Sequence, residues 1–253
     1  MREPQNIADV AALEVDYIGF IFYEKSPRYL LEYPPELLVQ TPRKARKLSV
    51  GTLTTAKVGV FVNHSIDFIL EKVQTFGLDL VQLHGHETAE FCRQLRVVSE
   101  DIDNSTVVVE NTRGANTNNG ENGDKTQTVV SDPVSRFRIK IIKAFSIGDN
   151  FDLSQLTDYK PLVDYFLFDT KGKNLGGNGV TFNWEILNHY DQEIPFFLSG
   201  GIDIQYVEEI RKLKNLNVHA LDINSKFEVS AGVKDVEKIK NFIQLLKDQL
   251  PIQ

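Results

Sequence analysis

The chain of 253 residues holds one cysteine, one methionine and one tryptophan. With Cys92 as the sole thiol, an internal disulfide framework and a multi-cysteine metal site are both excluded. Long apolar runs are lacking too, and nothing approaches the ~20 residues of a membrane span. The opening Met1-Arg2-Glu3-Pro4-Gln5-Asn6 lacks the apolar stretch of a secretory signal. Positive charge is in deficit. A net charge of −7 argues against a general binder of nucleic acid or anionic membrane, because such partners need excess Lys and Arg. A few donors in a cleft could still hold one phosphate. The expectation is a soluble, cytoplasmic chain forming a single α/β domain over residues 1–253, a length that would also suit two small domains.

Strand-like runs recur with amphipathic stretches between them: Tyr17 to Phe22, Lys57 to Val62, Leu80 to Leu83, Ile139 to Ala144, Tyr165 to Phe168, Phe196 to Leu198 and His219 to Ile223. Most are rich in Val, Ile, Leu and Phe without alternation, as parallel strands covered on both faces should be. In the last amphipathic stretch Val236, Ile239, Phe242, Ile243 and Leu246 recur at helical spacing. Alternating strands and helices predict right-handed βαβ units. Seven runs are one short of a closed eight-stranded barrel. Pro4 with Ile7, Val10 and Ala11 reads as the first turns of a helix, where a βα barrel should first have a strand. From Glu100 to about Arg138 the rhythm breaks. Asn111 to Thr126 is dominated by Asn, Gly, Thr and Asp and offers almost nothing to bury, so a disordered insertion is expected at about 100–138. As a helix-to-strand connection it should emerge on the face away from the active site, although an active-site lid is the sharper alternative.

In barrels of parallel strands the chemistry collects at the strands' C-terminal ends. Asp169 closes the apolar run Tyr165-Phe166-Leu167-Phe168, and a flexible Gly176-Gly177-Asn178-Gly179 loop follows. An acid there is a candidate for proton transfer, or else a helix cap or ion-pair partner. Ser199-Gly200-Gly201-Ile202 and Asp222-Ile223-Asn224-Ser225 follow the last two strand-like runs. Glycines let backbone N–H groups approach an anion, and the last two loops of a barrel are its usual phosphate cradle. Either loop alone could be an ordinary tight turn. Gln82 and His84 flank Leu83 at a strand end and so point the same way, His84 being a structural histidine or a wall of the site. Arg28, in Ser26-Pro27-Arg28-Tyr29, offers a planar fork suited to a carboxylate, or is a solvated loop residue.

Together these pieces resemble the phosphoribosylanthranilate isomerase family of tryptophan biosynthesis. The carriers are Gly19-Phe20-Ile21-Phe22 with Ser26-Pro27-Arg28-Tyr29, Val58-Gly59-Val60-Phe61-Val62-Asn63, Val81-Gln82-Leu83-His84-Gly85, Asp169-Thr170-Lys171 with Phe182-Asn183-Trp184, Leu198-Ser199-Gly200-Gly201 and Asp222-Ile223-Asn224-Ser225. The resemblance implies a (βα)8 TIM barrel lacking its first strand. It also implies an Amadori rearrangement of N-(5-phosphoribosyl)anthranilate to 1-(2-carboxyphenylamino)-1-deoxyribulose 5-phosphate, by proton transfers from positioned groups. By that resemblance Asp169 is the acid, Arg28 lies near the anthranilate moiety, and Gly200, Gly201, Asp222, Asn224 and Ser225 belong to the phosphate loops. Gln82 and His84 would complete the substrate pocket. No metal and no organic cofactor is implied. The partner is a small phosphorylated substrate, without nucleic acid or membrane, and the assembly is expected to be a monomer or homodimer.

One part of the family pattern is missing. The family base is a cysteine in a Lys-Ile-Cys-Gly-like segment ending the first strand, and Met1-Arg2-Glu3-Pro4 resembles what directly follows it. Cys92, between Phe91 and Leu95, reads instead as a small buried thiol of a helix. The rival reading is a non-catalytic barrel that binds phosphorylated ligands or a partner. Indole-glycerol-phosphate synthase, a neighbouring phosphate-binding barrel, needs catalytic lysines and glutamates at strand ends that these strands do not show.

Overall fold

Each strand-like run of the sequence enters one parallel sheet. A computed structural model describes residues 1–30, 55–104, 139–148, 150–170 and 184–248. Its strands are β1 (Tyr17–Ile21), β2 (Ala56–Phe61), β3 (Leu80–Leu83), β4 (Lys140–Ile147), β5 (Tyr165–Thr170), β6 (Phe196–Ser199) and β7 (Val218–Leu221), paired in that order. The helices are α1 (Pro4–Ala11), α2 (Ile66–Phe76), α3 (Ala89–Asn104), α4 (Val207–Lys212) and α5 (Val236–Lys247). A short antiparallel hairpin, β8 (Glu228–Ser230) with β9 (Val233–Lys234), follows the last strand of the sheet.

Period-two alternation sorts the side chains into two layers. Val58, Leu80, Ile142, Ala144, Tyr165, Leu167 and Phe197 form an inner cluster. Phe20, Phe61, Val81, Phe166, Phe168 and Leu198 face the other way, into the larger core under the helices. Each fully buried Phe or Leu of that layer stabilises by ~1.5–3 kcal/mol relative to exposure. Helix starts follow local chemistry. Pro4 opens α1, the Ser65 hydroxyl accepts from Phe68 N at the start of α2, and the Asp235 carboxylate accepts from Lys238 N at the start of α5. Ile7, Val10 and Ala11 of α1 are buried, as are Ile239 and Phe242 of α5, while Val236, Ile243 and Leu246 pack partly against the core.

Among the described residues the sheet curls but does not close by hydrogen bonds. Among the described residues β1 and β7 are its two edges, leaving a seam where a barrel of eight strands would hold one more. Side chains bridge the seam near the strands' N-terminal ends, where Tyr17 Oη and His219 Nε2 lie 2.7 Å apart. Tyr17 also packs its edge on Phe197, ring centroids 5.1 Å apart. On the seam side of β1, Gly19 O accepts from the Met1 amino group at 2.6 Å and Ile21 O from Leu30 N at 2.9 Å. Strand edges left unpaired carry a cost in buried surroundings, and these bonds meet part of it.

β3 matches the sequence reading at both ends, and the other strands differ from it by up to three residues at an end. β5 continues through Asp169 to Thr170, and β4 runs to Ile147. The expected insertion starts later, because α3 extends to Asn104. Its centre, Asn111 to Thr126, lies outside the described residues, as do Lys171, Gly176 to Gly179, Phe182 and Asn183.

Candidate active site

Alternation along the strands decides which polar groups face inward. On β5, Asp169 is in phase with the inward Tyr165 and Leu167, and on β6, Ser199 is in phase with Phe197. Asp169 and Ser199 are register partners on neighbouring strands. On β3, Gln82 is in phase with Leu80, and His84 continues that phase one residue beyond the strand. Gln82 and His84 point the same way, as expected, and the Gln82 amide nitrogen lies 2.8 Å from His84 Nδ1. His84 Nε2 then faces Asp169 Oδ2 at 3.9 Å, both side chains partly exposed. Gln82, His84 and Asp169 thus form a chain of polar groups across the strand ends.

Beneath His84 lies a buried ionic cluster that the sequence reading missed. Glu87 accepts from Asn63 N at 2.7 Å and from Gly85 N at 2.9 Å. Lys143 Nζ donates to Glu87 at 3.2 Å and to Gly85 O at 2.8 Å. The loop is tight. A Cβ at Gly85 would sit 2.4 Å from Asn63 Oδ1, so only glycine fits. The only signal in the sequence was a lysine inside the apolar run Ile141-Ile142-Lys143-Ala144-Phe145.

The two loops read as an anion cradle come together. Gly200 and Gly201 follow β6 with φ of 93° and 66°, a left-handed stretch open to glycine. Ser199 Oγ donates to Asp222 Oδ2 at 3.0 Å, tying this loop to the one after β7. Asn224 follows, and Ser225 begins a short 3-10 turn, Ser225–Phe227. Ser199, Gly200, Gly201, Asp222, Asn224 and Ser225 all line the same cavity as Asp169, Gln82, His84 and Arg28.

Arg28 is not a solvated loop residue. Its Nε lies 2.9 Å from each oxygen of Glu228, and its Nη2 donates to Oε2 at 2.6 Å. These bonds, outweighing burial, raise the Arg28 pKa above its usual value. Glu228 is 4% exposed on its side chain. Burial works against its charge, yet the Arg28 bonds and the nearby Lys234 charge hold its pKa below the ordinary carboxylate value. Nη1 is the guanidinium nitrogen that Glu228 does not engage.

The cavity measures about 1470 Å³, above the ~300–1,000 Å³ of typical ligand clefts. Its size follows from the seam, since Val10 of α1 and Phe242 and Leu246 of α5 line it together with the inner Val58 and Phe197. Trp184 also lines it, and its buried indole nitrogen meets no acceptor among the described residues. Cys92 does not. It is fully buried in α3, and burial pushes its thiol up to about 11. Among the described residues no cluster of three or more His, Cys, Asp or Glu could hold a metal ion, and no helix is long and apolar enough to cross a membrane.

Comparisons with known proteins agree with one another. The family model of N-(5'phosphoribosyl)anthranilate (PRA) isomerase matches residues 1–113 and 123–245. The N-(5'-phosphoribosyl)anthranilate isomerase of Parabacteroides distasonis is 39% identical over 244 residues, covering 96% of this chain and 89% of that protein. The enzyme of that name from Phocaeicola vulgatus is 34% identical over 250 residues, covering 99% and 96%. The crystal structure of phosphoribosyl anthranilate isomerase from Thermotoga maritima superposes with a TM-score of 0.67 at 26% identity, covering 98% of this chain and 95% of that one. The chain belongs to the N-(5'-phosphoribosyl)anthranilate isomerase family.

Proposed function

We propose that the cleft at the C-terminal ends of β1 to β7 carries the family's isomerisation of N-(5'-phosphoribosyl)anthranilate, with Asp169 as its general acid. The observation that carries the reading is the inward Asp169, one strand from the Ser199–Gly201 loop and facing His84. An acid there can protonate the ribose ring oxygen as the ring opens to a Schiff-base cation. Loss of the C2 proton then gives an enolamine, which tautomerises to the ketone. The loop of Gly200 and Gly201 and the loop of Asp222, Asn224 and Ser225 take the phosphate; Gly201, Asn224 and Ser225 offer backbone N–H donors, while Asp222, whose own N–H is given to Leu198 O at 2.8 Å, orders the loop. Ser199 supports this by locking the two loops together through Asp222. Arg28 meets the anthranilate carboxylate through Nη1, which Glu228 does not engage, and Gln82 and His84 wall the pocket between.

Asp169→Asn, made in a chain carrying a Lys-Ile-Cys-Gly-type strand ahead of Met1, tests the acid. The amide keeps the shape and cannot donate the proton, so turnover should fall ~10²–10⁴-fold at an unchanged melting temperature. Turnover within a few-fold of the parent would remove Asp169 from the mechanism. A second reading is that the chain binds phosphorylated ligands without converting them. Among the described residues no thiol reaches the cavity to act as the base, and Cys92 is held protonated in α3.

A further inference from the structure

The hairpin β8–β9 sits at the mouth of the seam and touches both of its sides. On one side Glu228 holds Arg28, from the loop after β1, by the bidentate bonds given above. On the other side Lys234 Nζ donates to Ile223 O at 3.1 Å and to Asn224 Oδ1 at 3.0 Å, both in the loop after β7. Glu228 and Lys234 are paired across the hairpin, and Lys234 Nζ lies 3.4 Å from Glu228 Oε1. Their side chains are 4% and 10% exposed, so water screens this chain of charges little. The hairpin is itself fixed. Lys234 N donates to Asn6 Oδ1 at 2.7 Å and Asn6 Nδ2 to Lys234 O at 2.9 Å, which ties it to α1. Gly232 N adds a bond to Glu228 Oε1 at 3.3 Å.

This chain runs Arg28, Glu228, Lys234, Asn224. Its ends are the residue read as meeting a carboxylate and the loop read as holding a phosphate. The strands at those ends, β1 and β7, are the two that share no hydrogen-bonded edge. Among the described residues no backbone pairing joins these two strands, and the hairpin's side chains connect the loops that follow them.

We propose that Glu228 and Lys234 are positioning residues that brace the Arg28 fork at a fixed distance from the Asn224–Ser225 loop, so that the site selects ligands by the spacing of their two anionic ends. The proposal rests on the roles given to Arg28 and the loops under the proposed function. A ligand anchored at both ends gains because its second contact is intramolecular, and that gain disappears when the two subsites no longer match its length. Each end by itself is indifferent to the spacing. Burial lowers the Lys234 pKa, while the Glu228 and Asp222 charges oppose the shift.

The test compares one two-ended probe with two one-ended probes. Dissociation constants are measured for reduced 1-(o-carboxyphenylamino)-1-deoxyribulose 5-phosphate, for inorganic phosphate and for anthranilate, on the parent chain, Lys234→Met, Lys234→Arg and Glu228→Gln. Lys234→Met and Glu228→Gln should weaken the two-ended probe by ~tenfold or more while changing inorganic phosphate less than ~twofold. Lys234→Arg restores charge and reach and should recover the two-ended affinity to within about threefold. Equal weakening of phosphate and of the two-ended probe by Lys234→Met would make Lys234 a phosphate contact and overturn the brace. Unchanged two-ended affinity in both variants would overturn it as well. Because the readout is binding, a chain with no isomerase turnover still tests the brace. Failure of Arg28→Met to weaken anthranilate would fault the underlying assignment instead.

Discussion

Lys143 shows what a single residue inside the sheet can demand. Its side chain and that of Glu87 are 3% and 2% exposed, so each is the other's charge partner in a nearly dry site. Lys143→Met would leave Glu87 buried without its cation, and breaking such a pair costs about 3–5 kcal/mol. Urea denaturation should show that loss, and Glu87→Gln added to Lys143→Met should recover part of it. A loss below about 1 kcal/mol would mean the site relaxes enough to hydrate Glu87. At this scale the sequence revealed residues that announce themselves by position. Asp169, Gln82 and His84 were legible because strand parity and strand ends are local properties. Glu228 was not, because it meets Arg28 from 200 residues away and nothing near it in sequence marks the contact.

Elements were more legible than their partners. Helical spacing found α1 and α5, and apolar runs found all seven strands of the sheet, since burial on both faces leaves a strong compositional trace. The ends slipped where a polar residue continues a strand, as at Asp169 and Thr170, because backbone pairing does not stop at the last apolar side chain. The hairpin β8–β9 escaped notice, being three and two residues long. Between α3 and β4 the family match itself breaks off from 114 to 122, inside the polar stretch Asn111 to Thr126. Replacing that stretch by a short Gly-Ser linker should leave melting temperature and ligand affinity nearly unchanged. Loop-closure cost varies by only ~0.6 kcal/mol per doubling of length. A large loss of affinity would show that the segment reaches the site.

For the whole molecule the feature to test is the seam between β1 and β7, the two edges of the sheet among the described residues. A chain carrying about ten more residues of Lys-Ile-Cys-Gly type ahead of Met1, enough for one strand and its turn, should gain solubility and isomerase turnover over the chain without them. With serine in place of that cysteine, solubility should return but little turnover, because a hydroxyl is a far weaker base than a thiolate. Robust turnover by the chain without the addition would show that another residue serves as base. Acid should loosen the seam. Burial lowers the pKa of His219 below its model-peptide value of 6.5, and that of His64 likewise. The unfolded chain therefore takes up protons first as pH falls, so the stability from neutral His219 is complete above about 6.5 and declines below it. Urea midpoints at pH 7.5 and 5.5 should differ in that direction, and less so in His219→Gln, which cannot titrate. An equal decline in both proteins would place the effect elsewhere.

Trp184 is the sole tryptophan of the chain, and it stands in the wall of the cavity with its indole nitrogen buried and unpartnered among the described residues. Its emission therefore reports one place and no other. A ligand that enters changes the surroundings of that ring and so its emission, and an aminobenzoate ring nearby can take up the excited state by energy transfer. The fold has in effect installed a single lamp beside the door of its own cleft, so occupancy can be watched in real time without attaching any dye.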